Sequence, residues 1–295
     1  MAVKFRGVQS RFDFSQETKT ILLQGLKIVN TGLNAPAPIA ASRLVRMGAT
    51  VIKIEPPTGD PLQKFAAHWY KELCAGQSVR VLDLKSEEGR RNLDAILNDA
   101  DLLLASFRPS ALTRLKLDWK TLHARHKRLC FAGIIGYPPP HEERTGHDLT
   151  YLADAGLLSP PQLPPSLYAD LAGAERAVSL SLALLLNFSR KGTPGCGWVS
   201  LHECARDLAE PRRAGLTLPG SLLGGGNPLY SFYQAKNGWI ALAALEPQFV
   251  QKLRSELGLI SSGREELERI FRTRSAEQWE QWAEERELPL AAVRS

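Results

Sequence analysis

Two side chains able to carry a proton, His147 and Asp170, stand at opposite ends of a broken stretch. It opens with Gly146-His147-Asp148-Leu149-Thr150-Tyr151 and reaches Tyr168-Ala169-Asp170. Between them runs Ser159-Pro160-Pro161-Gln162-Leu163-Pro164-Pro165, which no helix crosses, so only a tertiary turn can bring the pair together. An imidazole and a carboxylate on either side of one reacting atom form an acid/base pair that removes a proton on one face and returns it on the other. Read from residue types alone, the same two side chains also fit packing and helix capping.

The neighbouring residues leave similar choices. Tyr151 follows His147 by one helical turn, on the same face, and can reach the same pocket or simply pack. Asp148 stands where a helix start favours negative charge. Asp170 precedes a long apolar run and has the residue type preferred at an N-cap. Glu246, just before Pro247, reads equally as a helix-start carboxylate. Phe107-Arg108-Pro109 follows a predicted strand, and Arg114 lies six residues on from Arg108. Arginine suits phosphate through its planar fork. The carboxyl ends of parallel strands are where α/β sheets bind ligands, and Lys53, ending the second strand, is a third cationic candidate. Cys74, Cys130, Cys196 and Cys204 form no C-x-x-C pair, and His202 near Cys204 makes too small a donor set for a metal. No metal is expected, and the thiols read as reduced, in a cytoplasmic setting.

These residues need a frame to position them. The chain has 295 residues, 44% of them hydrophobic and 23% charged, which suits one large globular domain or two ordinary ones. A formal charge of +6 favours anionic partners. The basic residues are scattered rather than interleaved with aromatics, so no nucleic-acid module is expected. Residues 1–20 read as a mobile leader without the apolar core of a signal peptide. The most apolar stretch, 177–188, is too short to span a bilayer; it predicts a buried helix and no membrane partner.

Strands are predicted at 26–30, 49–54, 79–83, 102–105 and 129–135. Helices are predicted at 36–47, from Ser86 as N-cap to about Asn98, at 115–126, from near His147, and at 172–188, with 197–201 leading into one more. Near-continuous apolar strands alternating with helices predict an α/β, doubly wound, mostly parallel, Rossmann-like sheet. The first strand–helix turn lacks G-x-G-x-x-G, so no dinucleotide fingerprint is present. Pro and Gly residues at 209–227 mark a boundary between a large domain, 21–208, and a smaller α+β domain, 222–295. In the latter, Asn237-Gly238 between two β-rich runs predicts a hairpin, with helices at 247–257, 263–273 and 275–286. Gly224-Gly225-Gly226 reads as a linker or as a mobile lid.

Gly146-His147-Asp148 with Tyr151, Ala169-Asp170 with Ala172-Gly173, and Glu246-Pro247-Gln248-Phe249 resemble the class III CoA-transferase (CaiB/BaiF) family, and within it the α-methylacyl-CoA racemase branch. The resemblance runs from near Leu26 to the C-terminus. It implies that His147 and Asp170 are the two catalytic bases and that Asp148 and Glu246 bond around the histidine and tune it. It implies that Arg108 and Arg114 contact CoA. The substrate would be a 2-methylacyl-CoA thioester, racemised at its α-carbon through an enolate, with no cofactor beyond the CoA the substrate carries. A homodimer is implied, in which the small domain of one subunit covers the large domain of the other.

The chain departs from the family pattern at Cys74-Ala75-Gly76-Gln77 and at Gly136-Tyr137-Pro138-Pro139-Pro140, where basic and Gly-Gln-x-Gly-Pro turns are usual. Leu288-Pro289-Leu290-Ala291-Ala292-Val293 resembles a segment well inside other members, so the family's C-terminal return is expected to be missing. Two other readings stay open: a CoA-transferase with Asp170 as nucleophile, and a non-catalytic CoA-binding subunit.

Overall fold

The computed structural model describes residues 21–294, so the expected leader at 1–20 lies outside the described residues. The described chain divides into two compact units, one ending at Leu208 and the other beginning at Ala209.

The first unit is built on six parallel strands: β1 (Lys27–Asn30), β2 (Thr50–Glu55), β3 (Gln77–Val81), β4 (Leu102–Ala105), β5 (Cys130–Ile135) and β6 (Cys196–Ser200). Their spatial order is β3-β2-β1-β4-β5-β6, the doubly wound arrangement, with the direction of winding reversing between β1 and β4. β4 and β5 are buried at every position, as expected for central strands covered on both faces.

The crossovers carry α1 (Pro36–Arg46), α2 (Leu62–Phe65), α3 (Ala67–Cys74), α4 (Glu87–Leu97), α5 (Pro109–Leu115), α6 (Trp119–Arg125), α7 (Asp148–Asp154) and α8 (Tyr168–Lys191), and α9 (Leu201–Leu208) follows β6. Ser86 caps α4 as expected, its Oγ accepting from the Gly89 amide at 3.0 Å. The helix predicted at 115–126 is present as α6, begun four residues later, and α5 before it is an additional helix. Lys116 adopts a left-handed conformation that ends α5, and the Asp118 side chain starts α6 by accepting from the Thr121 amide. Residues 196–200, read as a lead into a helix, form the sixth strand.

α8 is longer than predicted, at 24 residues. By length and apolarity alone it could cross a bilayer, the only such helix among the described residues. Here it lies along β5 and β6 between α1 and α9, burying Ala169, Ala174, Ala177, Val178 and Leu185 in the core.

In the second unit, α10 (Glu210–Arg213) precedes the strands β7 (Tyr230–Gln234) and β8 (Trp239–Ala243). These form the antiparallel hairpin that Asn237-Gly238 announces, with Gly238 at φ +82°. Then come α11 (Pro247–Leu257), α12 (Arg264–Phe271), α13 (Ala276–Glu284) and β9 (Leu290–Ala292), which pairs with β8. Tyr233, Leu253, Phe271 and Trp279 centre this core. The three glycines are not a loose linker. They form a tight turn in which a Cβ on Gly224 would stand 1.7 Å from the Leu218 carbonyl oxygen, and Gly225 has φ +92°.

Candidate active site

The reversal of winding opens a crevice at the carboxyl ends of β1 and β4. The Thr31 amide donates to the Leu104 carbonyl at 2.9 Å and the Leu33 amide to Ser106 Oγ at 3.3 Å, which ties the two departing loops together. Beside them lies a cavity of about 130 Å³ whose walls include Thr31, Leu33, Glu55, Pro56 and Phe107. Arg108 leaves this rim as the N-cap residue of α5, and Arg114 lies in that helix's last turn; both are exposed. Phe107 and Leu115, the neighbours of the two arginines in the chain, both line this cavity.

One tertiary hydrogen bond joins Asp148, which follows His147 directly in the chain, to the start of the helix that carries Asp170. Asp148, 4% exposed, accepts from the Asp170 amide at 3.0 Å through Oδ1. α7 thus caps α8 from outside, and the N-cap residue of α8, Leu167, supplies no side-chain cap of its own. This corrects the reading of Asp170 as an N-cap: it sits within the first turn of α8, its amide already held. Asp148 is likewise turned to the start of α8, and no hydrogen bond among the described residues joins it to the His147 ring. His147 is the exposed N-cap of α7, fixed through its backbone: its amide donates to Thr150 Oγ1 at 3.0 Å, and that hydroxyl donates back to the His147 carbonyl at 2.8 Å.

Burial raises the Asp148 carboxyl above its usual range, against the pull of the two α8 amides it accepts from. Burial also raises Asp170, and the Asp148 charge adds to it, bringing this carboxyl to about 7. Such a group exchanges protons near neutrality, whereas an ordinary aspartate is ionised throughout that range.

Tyr151 packs as a buried spacer. It is 3% exposed, and its ring fills the room left by two glycines: a Cβ on Gly136 or Gly146 would lie 2.5 Å from it. It meets Tyr137 edge-on, with centroids 5.2 Å apart. Burial, followed by the charge of Asp170, pushes its phenol to about 12, so it stays neutral.

Lys53 is the second correction. Its side chain is fully buried, with Nζ 2.6 Å from Glu55 Oε1 and 2.5 Å from Asp60 Oδ2, and 4.8 Å from the centre of the Tyr70 ring. The Tyr70 hydroxyl donates to Glu55 at 2.8 Å, and Asp60 Oδ1 accepts from the Asn34 and Leu62 amides. A cation committed to two buried carboxylates is not available to a phosphate. What it does is hold the turn after β1 against the end of β2. Lys53-x-Glu55 on one face of a strand was visible in the sequence, but Asp60 and Tyr70 come from other elements.

A further set of residues fixes the loop entering His147. Asp154, in the last turn of α7, faces the negative end of that helix and needs a partner. Arg144 lies 3.2 Å from its Oδ2, and the Tyr137 hydroxyl donates to the same oxygen at 3.1 Å. The Arg144 guanidinium stacks over the Tyr137 ring at 4.2 Å.

The model of CoA-transferase family III matches residues 23–295. The chain belongs to that family. Among curated family III relatives, the cinnamoyl-CoA:phenyllactate CoA-transferase of Clostridium sporogenes is 30% identical over 276 residues, covering 82% of this chain and 66% of that one. The α-methylacyl-CoA racemase of Homo sapiens is 30% identical over 259 residues, covering 81% of this chain and 65% of that one. The chain thus spans about two thirds of the length of these relatives, one a transferase and one a racemase. A crystal structure of a hypothetical protein from Mycobacterium tuberculosis has the same fold, with a TM-score of 0.80, 24% identity, and coverage of 92% of this chain and 83% of that one. So does a CaiB/BaiF family protein from Brucella suis, with a TM-score of 0.76 and 21% identity over 92% of this chain and 84% of that one.

Within this family III chain, the first unit joins Asp148 to Asp170, has His147 next to Asp148 in the chain, and carries Arg108 and Arg114 on α5. Glu246 belongs to the second unit, where it is the exposed N-cap residue of α11 and makes no side-chain cap bond. Among the described residues no group of three or more His, Cys, Asp or Glu could hold a metal ion.

Proposed function

We propose that the chain inverts the α-carbon of 2-methylacyl-CoA thioesters, as an isomerase of the α-methylacyl-CoA racemase type. Arg108 and Arg114 would hold the phosphates of CoA at the mouth of the crevice. His147 and Asp170 would face the α-carbon from opposite sides, one removing its proton and the other returning one to the enolate. The observation that carries this reading is Asp170. Held on Asp148 beside His147, its carboxyl is brought to about 7 by burial and by that neighbour, which suits a group that must both accept and donate a proton near neutrality. In this reading the substrate supplies the CoA and no separate cofactor takes part. The chain works as a homodimer, and Glu246 reaches the His147 of a second copy.

One observation favours a second reading. The Clostridium sporogenes transferase is as similar to this chain as the human racemase. In a transferase Asp170 would attack the thioester carbonyl, break its carbon–sulfur bond with release of the CoA thiolate, and carry the acyl group as a mixed anhydride. A nucleophile works in its ionised form, and a carboxyl raised by burial and by Asp148 suits proton transfer better than attack.

Incubation with one enantiomer of a 2-methylacyl-CoA in D₂O separates the two. Deuterium entering the α-position while CoA stays on its acyl group is the expected result. Passage of CoA to an added carboxylic acid, with an aspartyl adduct trapped by hydroxylamine, would overturn it in favour of the transferase.

A further inference from the structure

Glu143 lies in the loop between β5 and α7, four residues before His147, in a place its own sequence surroundings do not explain. Its two carboxylate oxygens are both docked on α5: the Ser110 amide donates to Oε1 and the Ser110 hydroxyl to Oε2, each at 2.8 Å. Ser110 is two residues after Arg108 and one helical turn before Arg114. The grip therefore fixes a negative charge on the helix that carries both exposed arginines, near enough for the charges of Arg108 and Arg114 to act on it. The ion pairs formed by arginines among the described residues include neither Arg108 nor Arg114, so no closer carboxylate neutralises either. The Ser110 bonds, and after them the charges of Arg108 and Arg114, hold the Glu143 carboxyl below the usual range, so it is ionised wherever the protein would work.

We infer that Glu143 is a specificity-determining residue that weakens the hold of the arginine pair on phosphorylated ligands, acting as an internal anion with which the ligand's phosphates compete. This rests on the reading of Arg108 and Arg114 as phosphate contacts. The physical reason is simple. A phosphate arriving at these arginines meets a fixed carboxylate of its own sign, and the Ser110 amide and hydroxyl that would otherwise donate to it are already taken. A ligand without phosphates feels neither effect. Glu143 therefore narrows the advantage of a CoA ester over its pantetheine counterpart, and does so by charge rather than by shape.

The test compares binding of CoA and of pantetheine, by calorimetry, to the native chain, to Glu143→Gln, to Arg108→Ala/Arg114→Ala, and to the triple variant. Glu143→Gln keeps an acceptor for the Ser110 amide and removes only the charge; because Glu143 is exposed, the variant should fold as the native chain does. Expected are CoA binding tightened roughly two- to fivefold, the scale of an exposed charge interaction, pantetheine binding unchanged, and a gain that shrinks at high salt. The gain should vanish when both arginines are gone. CoA binding that is unchanged or weaker in Glu143→Gln would overturn the inference. Should the double arginine variant weaken CoA and pantetheine alike, the phosphate reading itself fails and the inference falls with it. Should that variant weaken CoA selectively while Glu143→Gln has no effect, the phosphate reading stands and only the role of Glu143 is lost.

Discussion

Asp170→Asn should make the protein more stable above neutral pH and leave it nearly unchanged in acid. The carboxyl of Asp170 rises from an ordinary 3.8 to about 7 because the fold buries it beside Asp148. A raised carboxyl means that the folded state favours the protonated form. Its favourable contribution is complete below about 3.8 and is lost as pH rises through about 7. At about 1.36 kcal/mol per pH unit, ionised Asp170 costs the fold up to about 4 kcal/mol at pH 8. Asparagine has the shape of the protonated acid and no charge to bury. For a unit of this size, the variant should melt on the order of 10 °C higher at pH 8, with the gain fading as pH falls to 4. The assay is thermal unfolding across that range for both chains. A variant no more stable than the native chain at pH 8, or equally stabilised at pH 4 and pH 8, would refute the reasoning that burial and Asp148 set this carboxyl.

Asp148→Asn keeps an acceptor for the Asp170 amide but removes the charge that helps raise Asp170, so the acid limb of the pH–rate profile should move to lower pH. Asp148→Ala should instead cost about 1–2 kcal/mol in chemical unfolding, as the loss of a helix cap does. Lys53→Met leaves Glu55 and Asp60 buried without their cation and should cost about 3–5 kcal/mol by urea unfolding; a near-neutral effect would mean the triad is not what holds that turn. Arg108→Ala and Arg114→Ala should each weaken CoA thioesters by about 1.5–3 kcal/mol and leave pantetheine thioesters nearly unaffected, by direct titration. Mixing inactive Asp170→Ala and Glu246→Ala chains under exchanging conditions should restore activity, because one site of a mixed dimer then receives both intact residues; no recovery would show that Glu246 serves no site in a second copy.

The central strands could be read directly because β4 and β5 are apolar throughout, and only a strand covered on both faces has that pattern. The cap at Ser86 and the Asn237-Gly238 hairpin were equally local signals. What escaped depended on distant partners. β6 begins Cys196-Gly197-Trp198, a half-exposed edge with no apolar run, and is defined by pairing with β5. α8 starts earlier than its sequence indicates because its cap, Asp148, arrives from another helix. The site divides in the same way. His147 and Asp170 were recognisable as types, whereas the environment that raises Asp170 is tertiary. Lys53 read as a free cation because Asp60 and Tyr70, which enclose it, approach only in the folded chain. Glu143 gave no sequence signal, since nothing in its own loop points to Ser110.

If two bases face one carbon from opposite sides, deuterium uptake resolved by enantiomer must reveal each of them separately. His147→Ala and Asp170→Asn would each be incubated in D₂O with the separate R and S forms of a 2-methylacyl-CoA. Neither variant should interconvert the enantiomers, and each should exchange the α-proton of only one of them, the opposite one for the two variants, with retention. Exchange of both enantiomers by either variant, or interconversion surviving the loss of either residue, would contradict the two-base reading.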